Sequence, residues 1–111
     1  MEEIRYRRSK QLLSLKFDSP VPIGKRNNRD WYRLRVSIDG DLNFIQNNID
    51  QVIYFTHPTF PKKMQEITVK NKRGNFPLSL QVWGRFRIRA HVYLKDGEVV
   101  ELTEFLPTLK S

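Results

Sequence analysis

The chain reads VIYFTHPTFP over residues 52–61 and VWGRF over residues 82–86. The first run is β-branched and aromatic, the composition of a half-buried strand, and it ends where Pro58 and then Pro61 withdraw backbone donors. His57, Thr59 and Phe60 are therefore expected in a loop. An imidazole, a hydroxyl and the large rings of Phe60 and Trp83 would stand at strand ends, where loops aim side chains at a ligand. Other chemistry lacks its residues. With two histidines and no cysteine, a common zinc site would need carboxylates from distant segments, and no HExxH spacing occurs. A phosphate-cradling glycine loop, a GxSxG elbow and a Ser-His-Asp arrangement are all missing from the sequence. The reading is a binding protein with no catalytic residues, no metal and no cofactor.

The elements that must position these groups read as strands. Residues 11–17 form the first. Residues 18–30, DSPVPIGKRNNRD, carry prolines, a glycine and two asparagines and read as a loop. In residues 31–38, Tyr32, Leu34, Val36 and Ile38 alternate with Arg33, Arg35 and Ser37, the period-two pattern of a strand with one face buried; Asp39 and Gly40 then turn the chain. Leu42, Ile45 and Ile49 are spaced for a short helical turn leading into the 52–55 strand. Further strands are expected at 66–70 and 76–82, the latter interrupted by Pro77, with a turn at 71–75 between them. Residues 86–94 alternate most clearly: Phe86, Ile88, Ala90, Val92 and Leu94 to one side, Arg87, Arg89, His91 and Tyr93 to the other. Lys95-Asp96-Gly97 is a hairpin signal, and VVELTEFL returns as the last strand. Seven or eight short strands with almost no helix predict an all-β, immunoglobulin-like antiparallel β-sandwich, whose connecting loops gather at its two ends.

Taken in order, HPTFP (57–61), WGRF (83–86), the RDW at 29–31 that opens a strand, and the closing LTEFL resemble the YEATS domain, in particular its prokaryotic relatives. The resemblance covers residues 10–109. It implies an immunoglobulin-like module that recognises an acylated lysine. Such a group is flat and neutral at its amide and apolar beyond it, so a reader needs aromatic walls and amide-bonding groups. By resemblance, Phe60 and Trp83 are the walls, the Thr59 hydroxyl bonds the amide, and the Trp83 backbone N–H donates to the amide oxygen. His57 orients the hydroxyl loop, and Val82 and Gly84 complete the ligand-binding set. Two positions depart from the family's pattern. Val82 stands where glycine is common and would crowd the pocket floor. Asn27 stands where an aromatic is frequent, which implies one cage wall fewer.

Each residue also has a purely structural reading. Phe60 could plug the end of the sandwich, Trp83 could serve packing alone, and His57 and Thr59 could do no more than close their own turn. Twenty Lys and Arg against twelve Asp and Glu give a net charge of +8, enough to attract polyanions or acidic protein surfaces. Arg33 and Arg35 on one strand, with Arg85, Arg87 and Arg89 on another, could form one basic sheet surface. The alternative function is thus an electrostatic adaptor that holds nucleic acid or an acidic protein on that surface, whereas the first reading takes an acylated-lysine protein or peptide as partner. A solvated face is the structural counterpart. The 111 residues suffice for one domain, divided as a charged segment over 1–9 and a sandwich over 10–111. No apolar run suits a membrane span or signal peptide, so no membrane contact by this domain is expected. The expected location is cytoplasmic, or nuclear in a eukaryote.

Overall fold

The computed structural model describes residues 13–109; the charged segment expected over 1–9 and the first residues of the strand expected at 11–17 lie outside the described residues. Among the described residues, eight strands form two antiparallel sheets. In the first, β3 (Arg29–Asp39) is central. The successive strands β1 (Ser14–Phe17) and β2 (Val21–Arg26) lie along one of its edges, and β6 (Leu78–Val82) pairs with the other. The second has the order β5 (Glu66–Val69), β4 (Ile49–Phe55), β7 (Arg87–Leu94), β8 (Val99–Phe105). A short helix, α1 (Leu42–Asn48), carries the chain from one sheet to the other.

Alternation fixes which side of each strand is inside. Tyr32, Leu34, Val36 and Ile38 of β3 meet Ile88, Ala90, Val92 and Leu94 of β7 in one core, with Val52 and Tyr54 of β4 and Val100 and Leu102 of β8. Each fully buried aliphatic chain contributes about 2 kcal/mol relative to exposure. On α1, Asp41 caps the first turn by accepting from the Asn43 N–H at 3.0 Å. Only Ile45 of the expected helical set behaves as expected: Leu42 is 60% exposed and Ile49 already opens β4.

The loop expected at 18–30 is a correction, because residues 21–26 of it are β2, paired with β3, and residues 29–30 already belong to β3. Pro22 and Gly24 disguise it: β2 is an edge strand, where a missing donor is tolerated, and its register shifts between these two residues. Asn27 and Asn28, with φ of 53° and 62°, form a two-residue turn between the paired Arg26 and Arg29. Positive φ at both central positions is the type I′ geometry that asparagine accepts.

At the other end of β6, Gly74, Asn75 and Phe76 all take left-handed backbone, with φ of 77°, 64° and 57°. Phe76 is held there by its burial and by the Tyr54 hydroxyl, which donates to its carbonyl at 2.7 Å. Burial raises the Tyr54 phenol well above its ordinary value. Gly74 also admits a close approach, since a Cβ there would lie 2.6 Å from Nη2 of Arg35. Among the described residues no helix is long and apolar enough to cross a membrane.

Candidate functional site

One end of the sandwich carries a cleft of about 560 Å³, within the range of small-ligand sites. His57, Thr59, Phe60, Val82, Trp83 and Gly84 all line it. The loop after β4 closes on itself. Phe60 N–H donates to the His57 carbonyl at 2.9 Å and Thr56 N–H to the Gln65 carbonyl at 3.0 Å. The Thr56 hydroxyl donates to the Met64 carbonyl at 2.6 Å, and the Gln65 side-chain amide to the carbonyls of Phe60 and Pro58 at 2.8 and 3.2 Å. The carbonyls of His57, Pro58, Phe60, Met64 and Gln65 thus all have donors within the loop itself, which ties its backbone at five points.

The His57–Thr59 pair has a definite proton arrangement. Thr59 N–H donates to Nδ1 of His57 at 3.2 Å, so that nitrogen is an acceptor and the ring proton sits on Nε2. The Thr59 hydroxyl is 3.0 Å from the same nitrogen and must therefore donate to it as well. Its oxygen lone pairs remain available to a donor in the cleft.

Phe86 supports this loop. Its ring lies 5.5 Å from that of Phe60, edge to face, and 5.7 Å from that of His57, within aromatic-pair range. Sequence alternation assigned Phe86 to the inward face of a strand. It does pack against the core, half-buried, but from the residue just before β7, and it lines the cleft. On the opposite side the β3–β6 ladder ends at the Tyr32–Val82 pair, leaving the Trp83 N–H outside the pairing. Trp83 is 42% exposed, and the Arg29 guanidinium lies 3.8 Å from its ring centroid. Gly84 faces open space, with no atom within 4 Å of a Cβ placed there.

Both departures from the family pattern have a structural outcome. Val82 is absent from the positive-φ positions; it ends β6 on ordinary strand backbone and packs into the core below the cleft. Asn27 occupies the hairpin tip and contributes nothing to the lining, while the same hairpin brings Arg26 and Trp31 to the cleft wall. The Arg26 guanidinium stacks 4.5 Å from the Trp31 centroid and donates to Oε1 of Gln81 at 2.9 Å. Trp31 Nε1–H donates to the Arg26 carbonyl at 3.3 Å. Sequence reasoning passed over Arg26, Trp31, Met64, Ser79 and Gln81 as lining residues. The Asn27-Asn28 turn was the signal that could have found the first two, because it makes residues 21–31 a hairpin.

The five arginines of the expected basic surface do not share one sheet. Arg33 and Arg35 lie on β3, in the first sheet, while Arg87 and Arg89 lie on β7, in the second. Arg85 is in the turn before β7, where its Nε and Nη2 donate to the Leu106 carbonyl at 2.9 and 2.8 Å, and it lines the cleft. One basic sheet surface is thus corrected to two separate faces. Among the described residues no cluster of three or more His, Cys, Asp or Glu is arranged to hold a metal ion, and no carboxylate lines the cleft.

The family model of the prokaryotic YEATS domain matches residues 32–107. No curated protein matches the chain. Among solved structures it is similar to the yeast AF-9 homolog protein Yaf9, at 18% identity and a TM-score of 0.64, over 88% of this chain and 69% of that one. It is also similar to the Yaf9 YEATS domain recognising an H3K122suc peptide, at 19% identity and a TM-score of 0.59, over 86% of this chain and 67% of that one. A third is the Yaf9 YEATS domain bound to H3K27ac, at 19% identity and a TM-score of 0.62, over 89% of this chain and 73% of that one. At these identities the likeness is one of fold.

Proposed function

We propose, from the premise that this chain belongs to the prokaryotic YEATS domain family, that it is a non-enzymatic reader whose cleft takes an acylated lysine of a protein or peptide. The observation that carries the reading is the convergence of two segments, 57–60 and 82–84, on one carboxylate-free cleft. The Yaf9 structures with H3K122suc and H3K27ac support the ligand class.

In this reading the lysine amide enters between Phe60 and Trp83. Each stacked ring adds about 1 kcal/mol beyond the area it buries. The amide N–H donates to Oγ1 of Thr59, which accepts because its own proton is given to His57. The amide oxygen accepts from the Trp83 backbone N–H. Such bonds are worth about 1 kcal/mol each net, and the neutral amide leaves no buried charge to compensate. Val82 forms the apolar floor and Gly84 keeps the mouth open.

Calorimetric titration with acetyl-, butyryl- and crotonyl-lysine peptides tests the reading. Binding is expected to depend on the acyl group and to be lost in Phe60→Ala and in Trp83→Ala, with His57→Ala weakening it less. The absence of heat with all of the modified peptides would remove the reading and leave the family likeness as one of fold.

A further inference from the structure

Resting on the acyl-lysine reading, we infer that Arg33 and Arg35 extend the cleft into a flank-reading surface that selects a modified lysine lying in an acidic stretch of its protein. The cleft opens onto the outer face of the first sheet. Two of its lining residues, Gln81 and Ser79, are exposed members of β6 and stand directly across the ladder from Arg33 and Arg35. Directly opposed residues in an antiparallel pair are close neighbours on one face, so both arginines border the cleft residues. Arg26, already in the cleft wall, bonds the same Gln81 that faces Arg33. The Arg35 guanidinium lies over Gly74, so the row runs from the cleft mouth toward the turn that precedes β6.

Neither arginine has an ion-pair partner among the described residues. Among the described residues, the carboxylates near this face are Asp18, Asp30 and Asp39. Asp30 pairs with Lys25 at 4.0 Å, Asp18 meets Arg35 through its backbone N–H, and Asp39 lies at the far end of β3, opposite Ser14. None of them forms an ion pair with Arg33 or Arg35. Strand rise puts Arg35 about 14 Å along β3 from Trp31, the reach of roughly four residues of extended peptide. An extended partner whose lysine occupies the cleft would bring its second to fourth flanking residues over the arginines. Aspartate or glutamate there gains two cationic partners, and lysine or arginine there is repelled. Exposed pairs of this kind act mainly through encounter and discrimination, and two together correspond to about a tenfold preference.

The test compares crotonyl-lysine peptides with acidic, neutral or basic residues at the second and fourth flanking positions, placed on either side of the lysine in separate peptides, at low and at high salt. The acidic-flanked peptide is expected to bind about tenfold more tightly than the basic-flanked one at low salt, with the gap narrowing as salt rises. In Arg33→Gln/Arg35→Gln the gap should fall to about twofold. Because the three-peptide comparison is made on the unaltered protein, it does not depend on how the variant folds. Equal affinity for all flanks, with binding still dependent on the crotonyl group, would overturn the flank-reading role and leave the acyl-lysine reading intact. Equal binding of the unmodified acidic peptide would overturn the acyl-lysine reading and the link to it, as would binding of single-stranded nucleic acid in place of every peptide.

Discussion

Arg33 and Arg35 on the first sheet and Arg87 and Arg89 on the second stand on the two outer faces of the sandwich in opposite situations. On the second sheet Arg89 lies 4.9 Å from the Phe55 centroid and 3.4 Å from Glu101, which also meets His91 at 3.3 Å. Arg87 and Arg85 lie 5.7 and 4.6 Å from the Phe105 centroid. Each of these cations has a local occupation. On the first sheet Arg33 and Arg35 face Gln81, Ser79 and Val21, which neutralise nothing. A count of basic residues therefore says little about a binding surface, because what stands across the ladder decides whether a guanidinium is structural or available.

Four measurements sharpen this contrast. The largest effect is expected from Phe55→Ala, which removes a half-buried ring beneath both Arg89 and His91; it should cost about 2 kcal/mol in denaturant unfolding while leaving the first face and its arginines undisturbed. Next, Tyr54→Phe acts between the sheets and should weaken both faces equally. It leaves the buried Phe76 carbonyl without its donor, at a cost of about 1.5 kcal/mol. The same residue gives a pH dependence. Because burial raises its phenol in the folded state, its contribution is fully present below the ordinary tyrosine value and is lost as pH rises beyond about 10. Alkaline unfolding of the parent protein should accordingly be steeper than that of Tyr54→Phe. The smallest effect separates the faces most directly. A double-mutant cycle on Arg89 and Glu101, both half-exposed, should return a coupling of about 0.5 kcal/mol, whereas Arg33→Ala should change stability by no more than about 0.5 kcal/mol. A clear loss of stability in Arg33→Ala would end the distinction between the faces.

Much of this molecule was legible in its sequence because period two is a local signal. Leu34, Val36, Ile88, Ala90 and Val92 are all inside, as their alternation required. The loop position of His57, Thr59 and Phe60 followed from two prolines. Where local signals gave out, so did the reading. Pro22 and Gly24 masked an edge strand, whose tolerance for them comes from having a neighbour on one side only. Alternation in β3 and β7 separated polar from apolar faces but could not say that the two strands belong to different sheets. That depends on β6, which pairs with β3 from more than forty residues downstream. Phe86 marks the same limit at a strand end: alternation put it on the inward side, where it packs against the core, but the chain enters β7 one residue later than the pattern suggests.

The self-closed loop over residues 56–65 has a consequence for time rather than affinity. With its carbonyls and amides already paired internally, it has little ordering left to do when a ligand arrives. A cleft already in place makes encounter, not closure, the limiting event. Association should follow a single phase whose rate rises linearly with peptide concentration, at about 10⁵–10⁷ M⁻¹s⁻¹, and differences among acyl groups should appear in how long each one stays.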